Sequence, residues 1–500
     1  MNINPINSSK LPSRSTMLLC VSALLCLQGC TVGPKYKPPV FQAPPSFKEA
    51  APEQGSDGTV WTSAKPNDAT LRGNWWEIYH ESELNELETK LNTSNQNVAQ
   101  SYQNFMAARA LARQARSSYY PNVSTSPAYT RSRTSGNVTS EQIPGENPNS
   151  NEFSLPFDVS WEPDVWGRIK NTVREYANAA QVSAADLANE RLSQQASLAT
   201  YYFELRGQDA QLALYQQTVE TYRKSLELTR ISRATGIDTE QDVAQAELNL
   251  KTAEAAATNL GIARAQYEHA IALLIGQPAS TFSMASRPLT TPVPSIPLGL
   301  PSELLQRRPD IAAAERTMSE ANALIGVQTA AFYPSFTISA QGGLQSSTIG
   351  SWFTWPSRFF SVGPSATQTL FDAGSRRATL QQYQAQYEAD VAAYRQTVLT
   401  AFQQTEDSLA SQRLLFVQLQ QQQEAIDAAQ RYYNLASVRY KTGVDPYLDV
   451  FTAQTSLLSA QQTAVTLRVQ QMTSSVQLIE ALGGGWDLSQ LPSEKAVAKK

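Results

Sequence analysis

The residues that could do chemistry are few, and they come in matched sets. Asp238 and Asp242 follow Gly236 by two and six residues, and Asp445 and Asp449 follow Gly443 by the same two and six. A carboxylate just past a helix-ending Gly has two uses. It can cap the next helix, because its oxygen accepts from the free N–H groups of the first turn. Repeated around a symmetry axis, it can instead ring an opening, attract cations and raise its own pKa by mutual repulsion. Capping is the expectation for Asp238 and Asp445, and a part in gating such an opening for Asp242 and Asp449. The three cysteines, Cys20, Cys26 and Cys30, all lie in the first thirty residues, so the rest of the chain has neither a disulfide nor a thiolate metal site. His80 and His269 are too few and too scattered for a metal cluster. Neither stands in a triad context, and no Gly-rich phosphate loop occurs, so no enzyme is expected. The net charge of −4 argues against nucleic acid as the main partner.

The N-terminus has chemistry of a different kind. Lys10 and Arg14 precede an apolar run from Met17 to Leu27. The run is too short to cross a bilayer as a helix, and it reads as a signal peptide. It ends in Leu27-Gln28-Gly29-Cys30. A Leu three positions before a Cys, with a small residue between, resembles the bacterial lipobox. That resemblance implies cleavage after residue 29, diacylglyceryl transfer to Cys30 and acylation, by palmitate or a similar chain, of the new amino terminus. Thr31, standing where an Asp would signal inner-membrane retention, points to the outer membrane. Several acyl chains together anchor stably, unlike one alone. Nothing later approaches 18 consecutive apolar residues, so no transmembrane helix is expected. The covalent lipid on Cys30 is the only non-protein group expected, with no cofactor and no metal.

The acidic sets belong to a larger repetition. Thr235-Gly236-Ile237-Asp238 matches Thr442-Gly443-Val444-Asp445 at an offset of 207, and Gly167 falls on Gly374 and Gly276 on Gly483 at that same offset. Tyr120-Pro121 matches Tyr333-Pro334 at 213, so the first copy carries six extra residues in between. Each copy is one supersecondary unit. The parts are a signal peptide (1–29), an extended segment with an equatorial part (30–80), a first repeat (81–276), a Pro-rich connector (277–300), a second repeat (301–483) and a tail (484–500). In the first repeat a helix leads to strands over 121–131 and 152–161 and to helices over 167–235 and 238–275. In the second the strands are 334–345 and 358–370, and the helices 374–442 and 446–482. Neither long stretch contains a Pro, so each could be a single rod of about 100 Å.

The strands alternate cleanly. Phe153, Leu155, Phe157, Val159 and Trp161 share one face, and Ser154, Asp158 and Ser160 the other. An apolar outer face with a polar inner one is what a lipid-embedded barrel with a wet lumen requires. Four strands cannot close a barrel, and an open edge in lipid leaves backbone groups unpaired at several kcal/mol each. Two chains would give a barrel filled by its own side chains, whereas three leave room for water. Aromatic residues fall in two bands. Tyr119, Tyr120, Trp161, Trp166, Phe332, Tyr333 and Phe371 lie nearest the helices, and Trp352, Phe353, Trp355, Phe359 and Phe360 at the far ends, as in interfacial girdles.

Several segments resemble one family, the outer-membrane efflux proteins of the TolC type, in the lipoprotein branch paired with resistance–nodulation–division (RND) pumps. They are Cys30-Thr-Val-Gly-Pro-Lys-Tyr-Lys-Pro-Pro39, Trp75-Trp76, Trp161-Glu-Pro-Asp-Val-Trp-Gly-Arg168, Gly299-Leu-Pro-Ser-Glu-Leu-Leu-Gln-Arg-Arg-Pro-Asp-Ile311 and Tyr440-Lys-Thr-Gly-Val-Asp-Pro-Tyr-Leu-Asp449. The resemblance implies a mixed α and transmembrane β fold. In it, a homotrimeric channel-tunnel joins a 12-stranded β-barrel, four strands per chain, to a long periplasmic α-helical barrel. It implies a periplasmic adaptor and an inner-membrane RND transporter as partners, outer-membrane lipid around the barrel, and drugs or other small amphiphiles as cargo. It places a periplasmic gate at the helical tips. Asp449 matches an acidic ring position, and Asp242 matches a carboxylate that accepts a bond from Tyr440. Thr452 stands where the family has a second acidic residue, with Asp445 as a substitute. Leu448 and Val444 would form an apolar constriction, and the adaptor would touch the tips at Gly236, Gly443 and Val444. The same fold also serves type I protein secretion, which is the second reading. A pore-free structural lipoprotein is the third, and the alternating strands oppose it.

Overall fold

The computed structural model describes residues 31–49, 73–133, 135, 149–296 and 301–499. Cys30 and the signal segment before it lie outside the described residues, as does most of the loop 132–150.

The two copies share one plan. In the first, α1 (Ser82–Ser94) and α2 (Gln96–Ser117) lead to β1 (Asn122–Thr125), β2 (Ala128–Arg133) and β3 (Asn149–Trp161). The helices α3 (Arg168–Ala234) and α4 (Glu240–Leu274) complete it. In the second, α5 (Pro309–Ala330) leads to β4 (Ser335–Ser346), β5 (Arg358–Thr367), α6 (Ser375–Lys441) and α7 (Tyr447–Ala481). Both long helices have 67 residues and both return helices 35. A rod of that length rises about 100 Å. Ala, Gln and Leu sustain it, because they lose little rotamer freedom in a helix. Among the described residues, no helix is long and apolar enough to cross a membrane.

The strands form one antiparallel sheet in the order β1–β3–β4–β5, with β2 also paired to β3. The strand expected over 121–131 is instead two segments. Pro127 sits in the gap, and it has no N–H to give to a ladder. Register fixes the faces. Leu155, Val159 and Trp161 lie opposite Leu344, Ala340 and Ile338. On the other face Gln341 donates to Asp158 (2.8 Å), Gln345 donates to Glu152 (2.9 Å), and the hydroxyls of Ser132 and Ser150 pair at 2.8 Å. Trp166 stacks on Tyr333 at the helix end of the sheet, and Tyr129, Phe153, Trp352 and Phe353 form a contact chain at the far end. Among the described residues, β1, β2 and β5 are paired on one side only.

The main core lies midway along the helices. Trp75, Trp76 and Tyr79, on one short 3-10 turn, pack against Leu198, Tyr202, Phe203, Met472 and Val476. Burying each such side chain is worth roughly 2–3 kcal/mol. The indole of Trp75 donates to Gln195 (3.3 Å), and the Tyr79 hydroxyl pairs with Ser475 (2.7 Å). Beside this core an ion network pins the Pro-rich connector. Asp209, 1% exposed, accepts from Arg206 (3.0 Å), Arg264 (2.8 Å), Ser286 (2.9 Å) and the backbone N–H of Arg287 (3.0 Å). Arg206 and Arg264 reach the carbonyls of Ala285 and Met284 in turn. With those partners in place the buried charges are compensated; removing one would leave its neighbour uncompensated, at about 3–5 kcal/mol.

The duplication extends to tertiary contacts. Asn95 donates to the carbonyl of Leu274 at the end of α4, and Arg308 donates to that of Ala481 at the end of α7. Gly276 and Gly483 follow those ends with φ of 68° and 91°. A Cβ on Gly483 would stand 2.0 Å from the Arg307 carbonyl oxygen, and one on Gly276 would stand 2.4 Å from that of Ser94. Backbone cannot swing aside as a side chain can. Gly483→Ala is therefore expected to lower the melting temperature of the detergent-solubilised protein by several degrees more than Gly374→Ala. Gly374 has φ of 89° but open space around it, so it incurs only the left-handed cost of about 1–2 kcal/mol. Equal losses for the two variants would show that the close approach is not what selects Gly483.

Candidate functional site

The end of the molecule farthest from the sheet is built by two helix–turn–helix tips. The turns are alike. Gly236 N–H bonds to the Arg233 carbonyl and Ile237 N–H to that of Ser232; Gly443 bonds to Tyr440 and Val444 to Arg439, all at 2.9 Å. This is the Schellman closure, which satisfies the last helical carbonyls and needs a left-handed residue at its corner. Gly236 and Gly443 supply it with φ of 79° and 73°. The residue after each Gly usually folds its apolar side chain onto the helix. Here Ile237 and Val444 stay 72% and 62% exposed, and Leu448 is 59% exposed.

Beneath the turns the two hairpins share a small core. Tyr222, Leu226, Val243 and Leu250 of the first pack with Ala436, Tyr447 and Val450 of the second. Tyr440 sits at its rim, edge-on to Tyr447 at 5.7 Å. Its hydroxyl donates to a carboxylate oxygen of Asp238 in the other turn. Burial, then the bond to Asp238, pushes the Tyr440 phenol above its ordinary value. A raised phenol stays protonated as pH climbs past about 10, so the contribution of this donor is complete at neutral pH and fades only in strong alkali.

The acceptor differs from the expected one. The resemblance paired Tyr440 with Asp242, but the carboxylate of Asp242 is already engaged. It accepts from the N–H and hydroxyl of Thr239, at 2.9 and 2.6 Å, while Thr239 Oγ1 accepts from the Asp242 N–H. That is a capping box at the start of α4. Asp238, four residues earlier, faces the last turn of α6 instead. The expectation that Asp238 and Asp445 cap their helices is corrected too, since the N-cap positions are Thr239 and Pro446. Asp445 takes a bidentate bond from Arg439, 2.5 and 2.8 Å, which holds its carboxyl below the usual range.

The copies diverge at one decisive position. Pro446 stands where the first copy has Thr239. It offers no hydroxyl, so the second copy has no capping box. Asp449, the counterpart of Asp242, lies partly exposed in the first turn of α7. Among the described residues its side chain has no hydrogen-bond partner, and Arg439 acts on it only at a distance. Sequence reasoning missed three contributors here: Asp238 as acceptor, Arg439 and Thr239. The capping pattern Thr239-x-x-Asp242 was visible in the sequence.

At the other end of the helices, Thr31 and Val32 are fixed beside the sheet. Val32 N–H bonds to the Trp166 carbonyl (3.1 Å), and Lys170 reaches the Thr31 hydroxyl (3.2 Å). The residue following Cys30 therefore lies at the junction of β3 and α3. Farther on, Tyr36 donates to Glu315 (2.6 Å), and the N–H groups of Lys48 and Glu49 bond to Glu406.

The sequence profile of the family described as "Outer membrane efflux protein" matches residues 89–277 and 300–484, one match in each copy. The probable efflux pump outer membrane protein TtgC of Pseudomonas putida is 32% identical over 481 residues, covering 95% of this chain and 96% of that protein. The pyoverdine export outer membrane protein OpmQ of Pseudomonas aeruginosa is 30% identical, with 94% and 97% covered. The solved outer-membrane channel OprN superimposes with a TM-score of 0.83 at 28% identity, covering 91% of this chain and all of that one. By sequence over nearly its whole length, and by the same sheet leading into the same paired rods, the chain belongs to the outer membrane efflux protein family and is one subunit of a trimeric channel-tunnel in the outer membrane.

Proposed function

We propose that this chain forms the exit duct of a tripartite RND-type pump, docked at its periplasmic tips to an adaptor and through it to an inner-membrane transporter, and that it passes small amphiphiles outward. The observation that carries the reading is end-to-end similarity to efflux pump outer membrane proteins, TtgC among them. The tips add support. Ile237 and Val444 present apolar surface at positions where a helix closure normally hides it, as a docking contact needs. Selection of cargo falls to the transporter. The relatives named for efflux favour this reading over type I secretion.

The gate in this reading has three parts. Asp449, freed by Pro446, forms a threefold ring of carboxylates. Leu448 and Val444 narrow the opening. Tyr440–Asp238 and Gln454–Ser225 hold the two hairpins of each chain in the closed arrangement, and Arg439–Asp445 stiffens the turn of the second hairpin. Cys30 carries the lipid in this reading, which the hold of the next two residues, Thr31 on Lys170 and Val32 on Trp166, supports.

Single-channel recording in planar bilayers tests the latch. Tyr440→Phe and Asp238→Asn are each expected to raise conductance several-fold, and Asp242→Ala to change it little while lowering thermal stability by about 1 kcal/mol through the lost cap. If Asp242→Ala opens the channel and Asp238→Asn does not, the bond assignment is wrong. Asp449→Asn is expected to cut cation over anion selectivity, measured as reversal potential in a salt gradient; an unchanged potential would remove Asp449 from the ring. For the anchor, Cys30→Ser should abolish incorporation of labelled palmitate, and persistent labelling of the variant would refute the lipobox assignment.

A further inference from the structure

The charged residues of the sheet are sorted by face. Glu152 and Asp158 lie on the polar face, hydrogen-bonded to Gln345 and Gln341. The cationic residues within the five strands are Arg131, Arg133 and Arg358, and there is no Lys among them. All three stand on the apolar face. Tyr129 lies opposite Phe153, so in the same register Arg131 lies opposite Asn151 and Arg133 opposite Asn149, two and four residues along. Arg358 lies opposite Leu344, which itself lies opposite Leu155.

Cations on a lipid-facing surface cost about 2–4 kcal/mol at mid-bilayer and close to nothing at the interface. These three occupy the ends of β2 and β5 farthest from the helices, at the outer headgroup level. The aromatic chain of Tyr129, Phe153, Trp352 and Phe353 marks that level. Arg358 stacks its guanidinium 3.2 Å over the Trp355 ring. Stacking fixes the plane and leaves the N–H edge free to donate. Among the described residues none of the three pairs with a carboxylate, and all are exposed.

Barrel closure brings them together. The free edges are β1/β2 on one side of the sheet and β5 on the other, so β2 of one copy must run beside β5 of the next. Arg133 ends the one and Arg358 begins the other, so both lie at the same rim of each seam.

We propose that Arg131 and Arg133, with the partner's Arg358 across the seam, grip the phosphate groups of the phosphorylated glycolipid of the outer leaflet, one molecule at each of three seams. This rests on the trimeric barrel described above. Guanidinium offers phosphate two parallel donors, and a sugar headgroup with two phosphates needs more than one such fork. The aromatic chain at that level packs beside the start of the acyl tails.

Native mass spectrometry of the full-length trimer tests this, with bisphosphorylated hexa-acyl lipid A, its dephosphorylated form and phosphatidylglycerol as probes. Lipid A is expected to saturate at three per trimer, the dephosphorylated form not to bind, and phosphatidylglycerol to bind at least tenfold more weakly. Each Arg→Gln change should weaken lipid A roughly fivefold, and R131Q/R133Q/R358Q together roughly 100-fold. The matching Lys variants keep most of the affinity, and they decide the matter if the triple Gln variant yields no trimer. Three results would overturn the proposal: unchanged lipid A binding in the Gln variants, equal saturation by phosphatidylglycerol, or collapse of binding in the Lys variants. A trimer that binds none of the probes would sink the lipid site and leave the channel intact, whereas a monomeric mass would sink the seam itself.

Discussion

A backbone N–H or C=O in hydrocarbon has nothing to bond with except another backbone. That constraint organises this molecule. The sheet has its strands in the order β1–β3–β4–β5, and among the described residues of one chain its two outer edges are unpaired. Each unpaired group in lipid costs several kcal/mol, so a single copy cannot remain in the membrane alone. Three copies close the ring. The twist and tilt of the strands then set the radius, and the long helices that leave the sheet at Gly167 and Gly374 inherit it.

Duplication supplies the parts, and divergence supplies the function. Contacts that hold the fold are kept in both copies, even when the residue changes. Asn95 and Arg308 are chemically unlike, yet both donate to the carbonyl that ends a return helix. Gly276 and Gly483 are kept because each approaches a backbone oxygen too closely for a Cβ. At the tips the copies separate. Thr239 binds Asp242 into a cap, and Pro446 leaves Asp449 free. A carboxylate engaged in a cap has little freedom to act on ions. One substitution therefore turns a structural acid into an available one.

The sequence made the architecture legible because period and punctuation are local. Alternation in 153–161, the Pro-free stretches after Gly167 and Gly374, and the landmarks at one offset all lie within reach of inspection. The break at Pro127 was equally visible, but an 11-residue alternating stretch overrode it. The ion network around Asp209 was not legible, since its members come from α3, α4 and the connector, and no spacing links them. The acceptor of the Tyr440 hydroxyl lies four residues from the expected one for a similar reason. Which of two carboxylates in one turn faces a Tyr some 200 positions away depends on the angle between hairpins, and the sequence does not encode that angle locally.

The distribution of packing explains why motion should concentrate at the tips. At the equator Trp75, Trp76, Tyr79 and Phe203 are buried together and flanked by the multiply bonded Asp209. Opening there would expose large aromatic area and separate buried charges. At the tips the shared core is smaller, with Ala246, Ala253, Ala436 and Ala453 among its members. Small side chains bury little area, so sliding one hairpin past the other costs little apolar contact. What remains to resist it is polar: Tyr440 on Asp238 and Gln454 on Ser225. Such bonds can be exchanged for bonds to water or to a docking partner at small net cost. Hence a partner that binds the exposed Ile237 and Val444 need supply only modest differential affinity to favour the open arrangement. The same load applied at the equator would leave it unmoved.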